Sequence, residues 1–187
     1  MSGFIIPSEK KKGFYKMPDA GGHYFGRLRV GRLWGQISLI LFLTRLSTRW
    51  ALMEPTRPFG LGDLAHEDGR PMPDHVSHFS GVGADIYVIN KDGVQRNDYQ
   101  NKTTWADKGY DRERTTKLAQ LISELRNDFP MIQFLYNDPE VIKAVSGIRP
   151  LAGHDEHMHI LLTGKHPFTE EQIEAHLRIC YSYDAAT

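Results

Sequence analysis

His154-Asp155-Glu156-His157-Met158-His159-Ile160-Leu161-Leu162 is the stretch on which the reading of this chain turns. Read as a strand from His157 to Leu162, it sends alternate side chains to opposite faces, so His157 and His159 project together. Read as a helix, it would send the two imidazoles in different directions. The apolar run Ile160-Leu161-Leu162, closed by Gly164, favours the strand. The same alternation points the neighbouring Glu156 away from His157.

Upstream, Asp74-His75-Val76-Ser77-His78-Phe79-Ser80-Gly81-Val82-Gly83-Ala84-Asp85 holds a second histidine cluster. Gly81 and Gly83 argue against a helix between His78 and Asp85. A loop that enters a strand at Asp85 fits better, since glycine lets the backbone turn sharply enough to bring both side chains to one point. A catalytic zinc takes three nitrogen or carboxylate ligands and keeps one position for water. His78, Asp85 and His159 are the three candidates. His157, two residues from His159, is left beside the metal and free to move a proton. A structural zinc would close all four positions, usually with cysteines, and Cys180 is the one cysteine. The His-Glu-x-x-His helix signature is absent, so a histidine base is expected rather than a glutamate. His23, His66, His166 and His176 read as surface or hydrogen-bonded core residues.

Composition sets the outer bounds. The 187 residues suffice for one domain with a sizeable core. Lys+Arg and Asp+Glu balance at 23 each, which gives no bulk drive toward nucleic acid or anionic membrane. A metal-dependent nuclease is therefore disfavoured. The arginine run Arg27, Arg29, Arg32, Arg45, Arg49 and Arg57 reads as a solvated face, with contact to an anionic polymer as the alternative. The most apolar stretch, Ile37 to Leu43, is too short to span a bilayer and is flanked by arginines. The lysine run Lys10-Lys11-Lys12 is followed by no signal-peptide core. A disulfide-stapled secreted class is excluded by the lone cysteine.

Along the chain, residues 1–23 read as an irregular arm and 24–187 as a single domain. Leu33 to Trp50 reads as a helix ended by Pro55 and Pro58. Phe59 to Leu64 reads as a short strand, and Ala84 to Asn90 as a strong one with an Asp-Gly turn at Asp92-Gly93. Asp111 to Asn127 is the clearest helix. Met131 to Tyr136 reads as a strand, and Asp138 to Val145 as a short helix with Asp138 at its N-cap and Pro139 in its first position. Thr169-Glu170-Glu171-Gln172 fits a capping box that opens a last helix.

Gly62-Asp63, the His75/His78/Gly81/Asp85 run, Tyr136-Asn137 with Pro139 following, Ile148-Arg149-Pro150 and His154-x2-His157-Met158-His159 occur together and in this order. These motifs resemble those of the LAS metallopeptidases, the group of lysostaphin, D-Ala-D-Ala carboxypeptidases and the hedgehog domain. Within that group they are most similar to the penicillin-insensitive murein endopeptidases. The resemblance spans about Tyr24 to Leu162.

It implies an α+β fold in which a small central antiparallel sheet, flanked by helices, carries one Zn²⁺ per chain on His78, Asp85 and His159. It implies His157 as base or transition-state stabiliser, with His75 and His154 lining the site. The implied activity is hydrolysis of D-alanyl–diaminopimelate crosslinks in peptidoglycan by metal-activated water. A D,D- or L,D-carboxypeptidase on stem peptides and a non-catalytic cell-wall-binding zinc module are the alternatives. The family is periplasmic, with a leader and a cysteine-containing tail. With no leader visible here, cytoplasmic synthesis followed by phage-type or secretion-type release is expected, as for a lysis enzyme or antibacterial effector, or else prior removal of a leader. Tyr24, Asp63, Tyr136 and Arg149 are candidate substrate contacts, with a structural role as the alternative for each.

Overall fold

The computed structural model of the protein describes residues 10–11, 13–17, 21–25, 31–72, 77–94 and 102–173. In chain order the elements are β1 (Lys10–Lys11), β2 (Phe14–Lys16), β3 (His23–Phe25), β4 (Trp34–Gly35), α1 (Ile37–Met53), β5 (Phe59–Leu61), β6 (Gly83–Tyr87), α2 (Arg112–Leu125), β7 (Met131–Leu135), α3 (Pro139–Ala144) and β8 (His157–Leu162). A single helical turn, His78–Ser80, precedes β6. The class is α+β.

Five strands form the main sheet in the order β3-β5-β6-β8-β7. The expectation of an antiparallel sheet needs correction, because β3 and β5 run parallel while the other pairs are antiparallel. Parallel neighbours require a long crossover. Helix α1 supplies it, lying between β3 and β5 in the chain.

Alternation along β6 and β8 separates core from site. Ala84, Ile86, Met158, Ile160 and Leu162 join one apolar cluster with Leu39, Phe42, Leu43 and Leu46 of α1 and with Leu118, Ile122 and Leu125 of α2. The intervening residues Asp85, His157 and His159 take the other face. Burying each large apolar side chain contributes about 1.5–3 kcal/mol, so this cluster fixes which face of β8 meets the helices. A one-residue slip would turn the histidines into the core.

The ends of the elements follow local chemistry. Asp111 accepts from the Arg114 backbone N–H and caps α2. Asp138 accepts from Glu140 N–H and caps α3, with Pro139 in the first turn. Thr169 and Gln172 exchange the two hydrogen bonds of a capping box. Helix α1 starts four residues later than the apolar stripe suggests. Trp34–Gly35 pairs with Tyr15 and Lys16 of β2, and the Gln36 N–H donates to the Gly81 carbonyl.

The reading of residues 1–23 as irregular also changes for the part described. β1, β2 and β4 form a second, three-stranded sheet. Tyr15 and Met17 are buried in the core, and Phe14 lies against Gly81. These strands are two or three residues long, too short to show an alternating pattern.

Candidate metal centre

The register of two strands builds half of the site. On β6 and β8, Asp85 stands directly opposite His159, and Tyr87 opposite His157. Opposed residues of an antiparallel pair have Cβ atoms about 5 Å apart, which puts the Asp85 carboxylate within reach of the His159 ring. The contact is 2.9 Å, from His159 Nδ1 to Asp85 Oδ1. His78 comes from the helical turn before β6. That turn closes on Gly81, whose φ of 72° is left-handed, a conformation that glycine adopts at no steric cost. His78 Nε2 then lies 3.3 Å from the same Asp85 oxygen.

Ligand atoms of His78, Asp85 and His159 all fall within 4.8 Å of one another, and all three residues are buried. Zinc bonds of about 2.0–2.2 Å in a tetrahedron place donors roughly 3.2–3.6 Å apart, so the set has the right scale for one ion. Surrounding groups fix the rings. His78 Nδ1 meets the Leu64 carbonyl at 2.9 Å. A carbonyl only accepts, so Nδ1 carries the hydrogen, and in a neutral ring Nε2 presents a lone pair to the Asp85 carboxylate. His159 Nε2 is 3.2 Å from Ser77 Oγ, leaving Nδ1 for the centre.

Acceptor facing acceptor in a buried pocket calls for a cation between them. Without a metal, the Asp85 charge favours a proton at that position. Burial alone would push His78 down, but the Asp85 charge and hydrogen bond outweigh it and hold the imidazole above its ordinary pKa. Burial would likewise raise Asp85, yet the charges of His157 and His78 and the hydrogen bond from His159 hold its carboxyl well below the usual range. Two imidazoles and a carboxylate, with no sulfur, suit a borderline divalent metal, and zinc belongs to that class.

His157 Nε2 lies 3.5 Å from Asp85 Oδ1, outside the three-ligand set. His154 lies beside it, its ring tilted by 46° with centroids 5.0 Å apart, and stands 5.7 Å from the His159 ring. Burial first, then the His157 ring, lowers the His154 pKa. His154 is held from behind: its N–H donates to the Leu151 carbonyl, its own carbonyl accepts from Asn137 N–H, and Asn137 Oδ1 accepts from Leu151 N–H. Asp155 Oδ1 gathers the Trp105 indole N–H and the Asn137 amide, each at 2.9 Å. His75 lies outside the described residues.

One other expectation changes. Glu156 does not point away from His157. Strand β8 begins only at His157, so alternation does not govern residue 156, and the carboxylate comes to 3.6 Å from His157 Nδ1. Among the arginines, Arg32 pairs with buried Asp63, Arg45 with Asp128, and Arg49 with Glu124, while Arg57 donates to the Lys91 carbonyl. Arg27 and Arg29 lie outside the described residues. Asp63, paired with Arg32, and Tyr136 are both buried. His23 is a core histidine, 2.6 Å from Ser47 Oγ.

A family model described as penicillin-insensitive murein endopeptidase matches residues 11–143. The match includes His78 and Asp85 and ends before His154, His157 and His159. No curated protein matches the chain.

Proposed function

The chain belongs to the penicillin-insensitive murein endopeptidase family, and from that membership and the geometry of the site we propose that it is a zinc-dependent hydrolase of D-alanyl–diaminopimelate crosslinks in peptidoglycan, acting on the cell wall. The observation that carries the reading is the convergence of His78, Asp85 and His159, from two distant segments, on one buried point. His78 through Nε2, Asp85 through Oδ1 and His159 through Nδ1 would hold the ion. Zinc, when bound, supplies a Lewis acid that polarises a carbonyl and lowers the pKa of water.

The protein supplies the rest. His157 takes a proton from the attacking water and passes it to the leaving amine of diaminopimelate as the C–N bond breaks. His154, half-buried beside it, lines the site with its Nδ1–H held by the Leu151 carbonyl, and His75 is the candidate to donate a hydrogen bond to charge that develops on the scissile oxygen. Leu64 and Ser77 keep the ligand rings oriented. Asp155, Asn137 and Trp105 keep the loop of His154 in place.

Incubation of the zinc-loaded protein with purified peptidoglycan, followed by mass spectrometry of the muropeptides, tests this reading. Crosslinked dimers become monomers, and a chelator stops the conversion. Loss of a terminal alanine from monomers would make the enzyme a carboxypeptidase. Binding to the sacculus without cleavage would make it a zinc-containing cell-wall module. Among the described residues no helix is long and apolar enough to cross a membrane.

A further inference from the structure

His157 can accept a proton toward the centre only if its Nε2 carries the lone pair. That requires the hydrogen to sit on Nδ1. Nδ1 is buried, and among the described residues it makes no hydrogen bond within 3.5 Å. The intrinsic preference of an imidazole side chain is for the Nε2–H tautomer, which would aim the hydrogen at the centre and disable the ring as a base. Something in the protein has to reverse that preference.

The group placed to do so is Glu156, whose Oε1 lies 3.6 Å from Nδ1. This is just beyond a hydrogen bond, and contacts of catalytic groups often tighten when the site is loaded. Glu156 is itself held from three sides. Lys102 forms an ion pair with it, with both side chains largely buried. The Val88 N–H donates to its carbonyl. The preceding residue, Asp155, is tied at both backbone and side chain to Trp105. The ring is braced as well: Tyr87 lies edge-on to His157 at 6.5 Å between centroids, and Lys102 Nζ stands 5.6 Å from the centre of the Tyr87 ring. Lys102, Glu156, His157 and Tyr87 thus close a circuit on one side of the centre.

We infer that Glu156, pinned by Lys102, is a positioning residue that accepts the Nδ1–H of His157 and so fixes the tautomer and orientation in which Nε2 works as the base. A nucleophile or base oriented by a third group is a recurrent arrangement in hydrolases, but nothing in the spacing of the histidines calls for this carboxylate. The carboxyl is held down at about 2, by the His157 ring first, against burial, and then by Lys102. It is therefore an anion, able to accept, at every pH where the enzyme would work. The inference rests on His157 being the base of the proposed hydrolysis.

The test separates the two. Glu156→Met keeps the length of the side chain and removes the acceptor. In the zinc-loaded variant kcat on crosslinked muropeptides falls about 10- to 100-fold, the usual cost of removing a group that orients a site residue, while KM and zinc content stay at wild-type values. Long-range ¹⁵N–¹H spectra of the zinc-loaded proteins at pH 8 show His157 as the Nδ1–H tautomer in the wild type and shifted to Nε2–H in the variant. Glu156→Gln keeps the shape and weakens the acceptor by removing its charge. It gives the same changes in smaller degree, and carries the test if the Met variant does not fold. A folded variant with wild-type kcat, or one that loses kcat while the tautomer stays unchanged, overturns the role of Glu156. A wild-type protein that cleaves no crosslink overturns the hydrolase reading instead, and the tautomer measurement still decides what Glu156 does.

Discussion

Three imidazoles approach one oxygen of Asp85, at 2.9, 3.3 and 3.5 Å, yet their removal has different consequences. His159→Ala takes away a ligand, and the purified variant is expected to hold no zinc and show no turnover. His157→Ala leaves all three ligands, so zinc content measured by atomic absorption stays at one per chain while kcat falls about 10²- to 10⁴-fold, the usual worth of a positioned base. Unchanged turnover in that variant removes His157 from the mechanism. The pH profile belongs to the same residues. Burial and the His157 ring lower the His154 pKa, so His154 is neutral at pH 7 and takes a proton only below its ordinary 6.5. A bound dication pushes neighbouring imidazoles further in that direction. The value of kcat/KM should therefore be level near neutrality and fall in mild acid. A rise in rate below pH 6 would contradict the assignment. Gly62 tests the same carboxylate sterically. A Cβ built there meets Asp85 Cβ at 2.9 Å. Gly62→Ala is expected to cost about 1–3 kcal/mol by overpacking and to weaken zinc binding measured by chelator competition.

At the scale of elements, Asp111 offers the clearest prediction. It caps α2 through the Arg114 N–H at 3.1 Å and pairs with the Arg114 guanidinium at 2.7 Å. Burial would raise its carboxyl, but the Arg114 hydrogen bonds and charge hold it below the ordinary value. A depressed carboxylate contributes stability above its unfolded pKa, and that contribution is lost as pH falls through the folded value. Asp111→Ala should therefore lower unfolding stability by about 1 kcal/mol in urea titrations at pH 7, with the difference shrinking by pH 3. An equal difference at both pH values would assign the effect to packing rather than to the charged cap.

This helix was legible because Asp111 and the spacing of Leu118, Leu121, Ile122 and Leu125 are local signals. Strand β8 was legible for the same reason, and with it the shared face of His157 and His159. The Asp85–His159 register was only half legible. Each strand showed its own alternation, but which residues stand opposite depends on the turn geometry and core volume between them. The parallel β3–β5 pair and the small sheet that buries Tyr15 left no periodic trace, since strands of two or three residues cannot show one. Glu156 was misread because alternation was extended past the end of a strand.

At the scale of the whole molecule, proton and metal compete for the same buried point, and stability should report the competition. A raised histidine pKa contributes stability that is fully present below the unfolded value of 6.5 and is lost as pH rises through the folded value. His78 is such a group, its elevation caused by Asp85 against the opposing effect of burial. Asp85, held well below the carboxylate range by its imidazole neighbours, stays charged across this window and keeps attracting a cation. The metal-free protein therefore loses one source of stability as pH rises through the folded pKa of His78, where the proton that this ring shares with the Asp85 carboxylate is given up. Under the proposed function, zinc would replace that proton and bind only the deprotonated ring, so its apparent affinity should rise with pH. Each tenfold gain in affinity at fixed free zinc adds about 1.4 kcal/mol to folding. The rise in Tm on adding a fixed excess of zinc should accordingly be larger at pH 7.5 than at pH 6. Scanning calorimetry with and without metal at the two pH values measures it. A rise that is equal at both, or smaller at pH 7.5, would mean that the ion does not displace the proton shared by His78 and Asp85, and that these side chains are not where it binds.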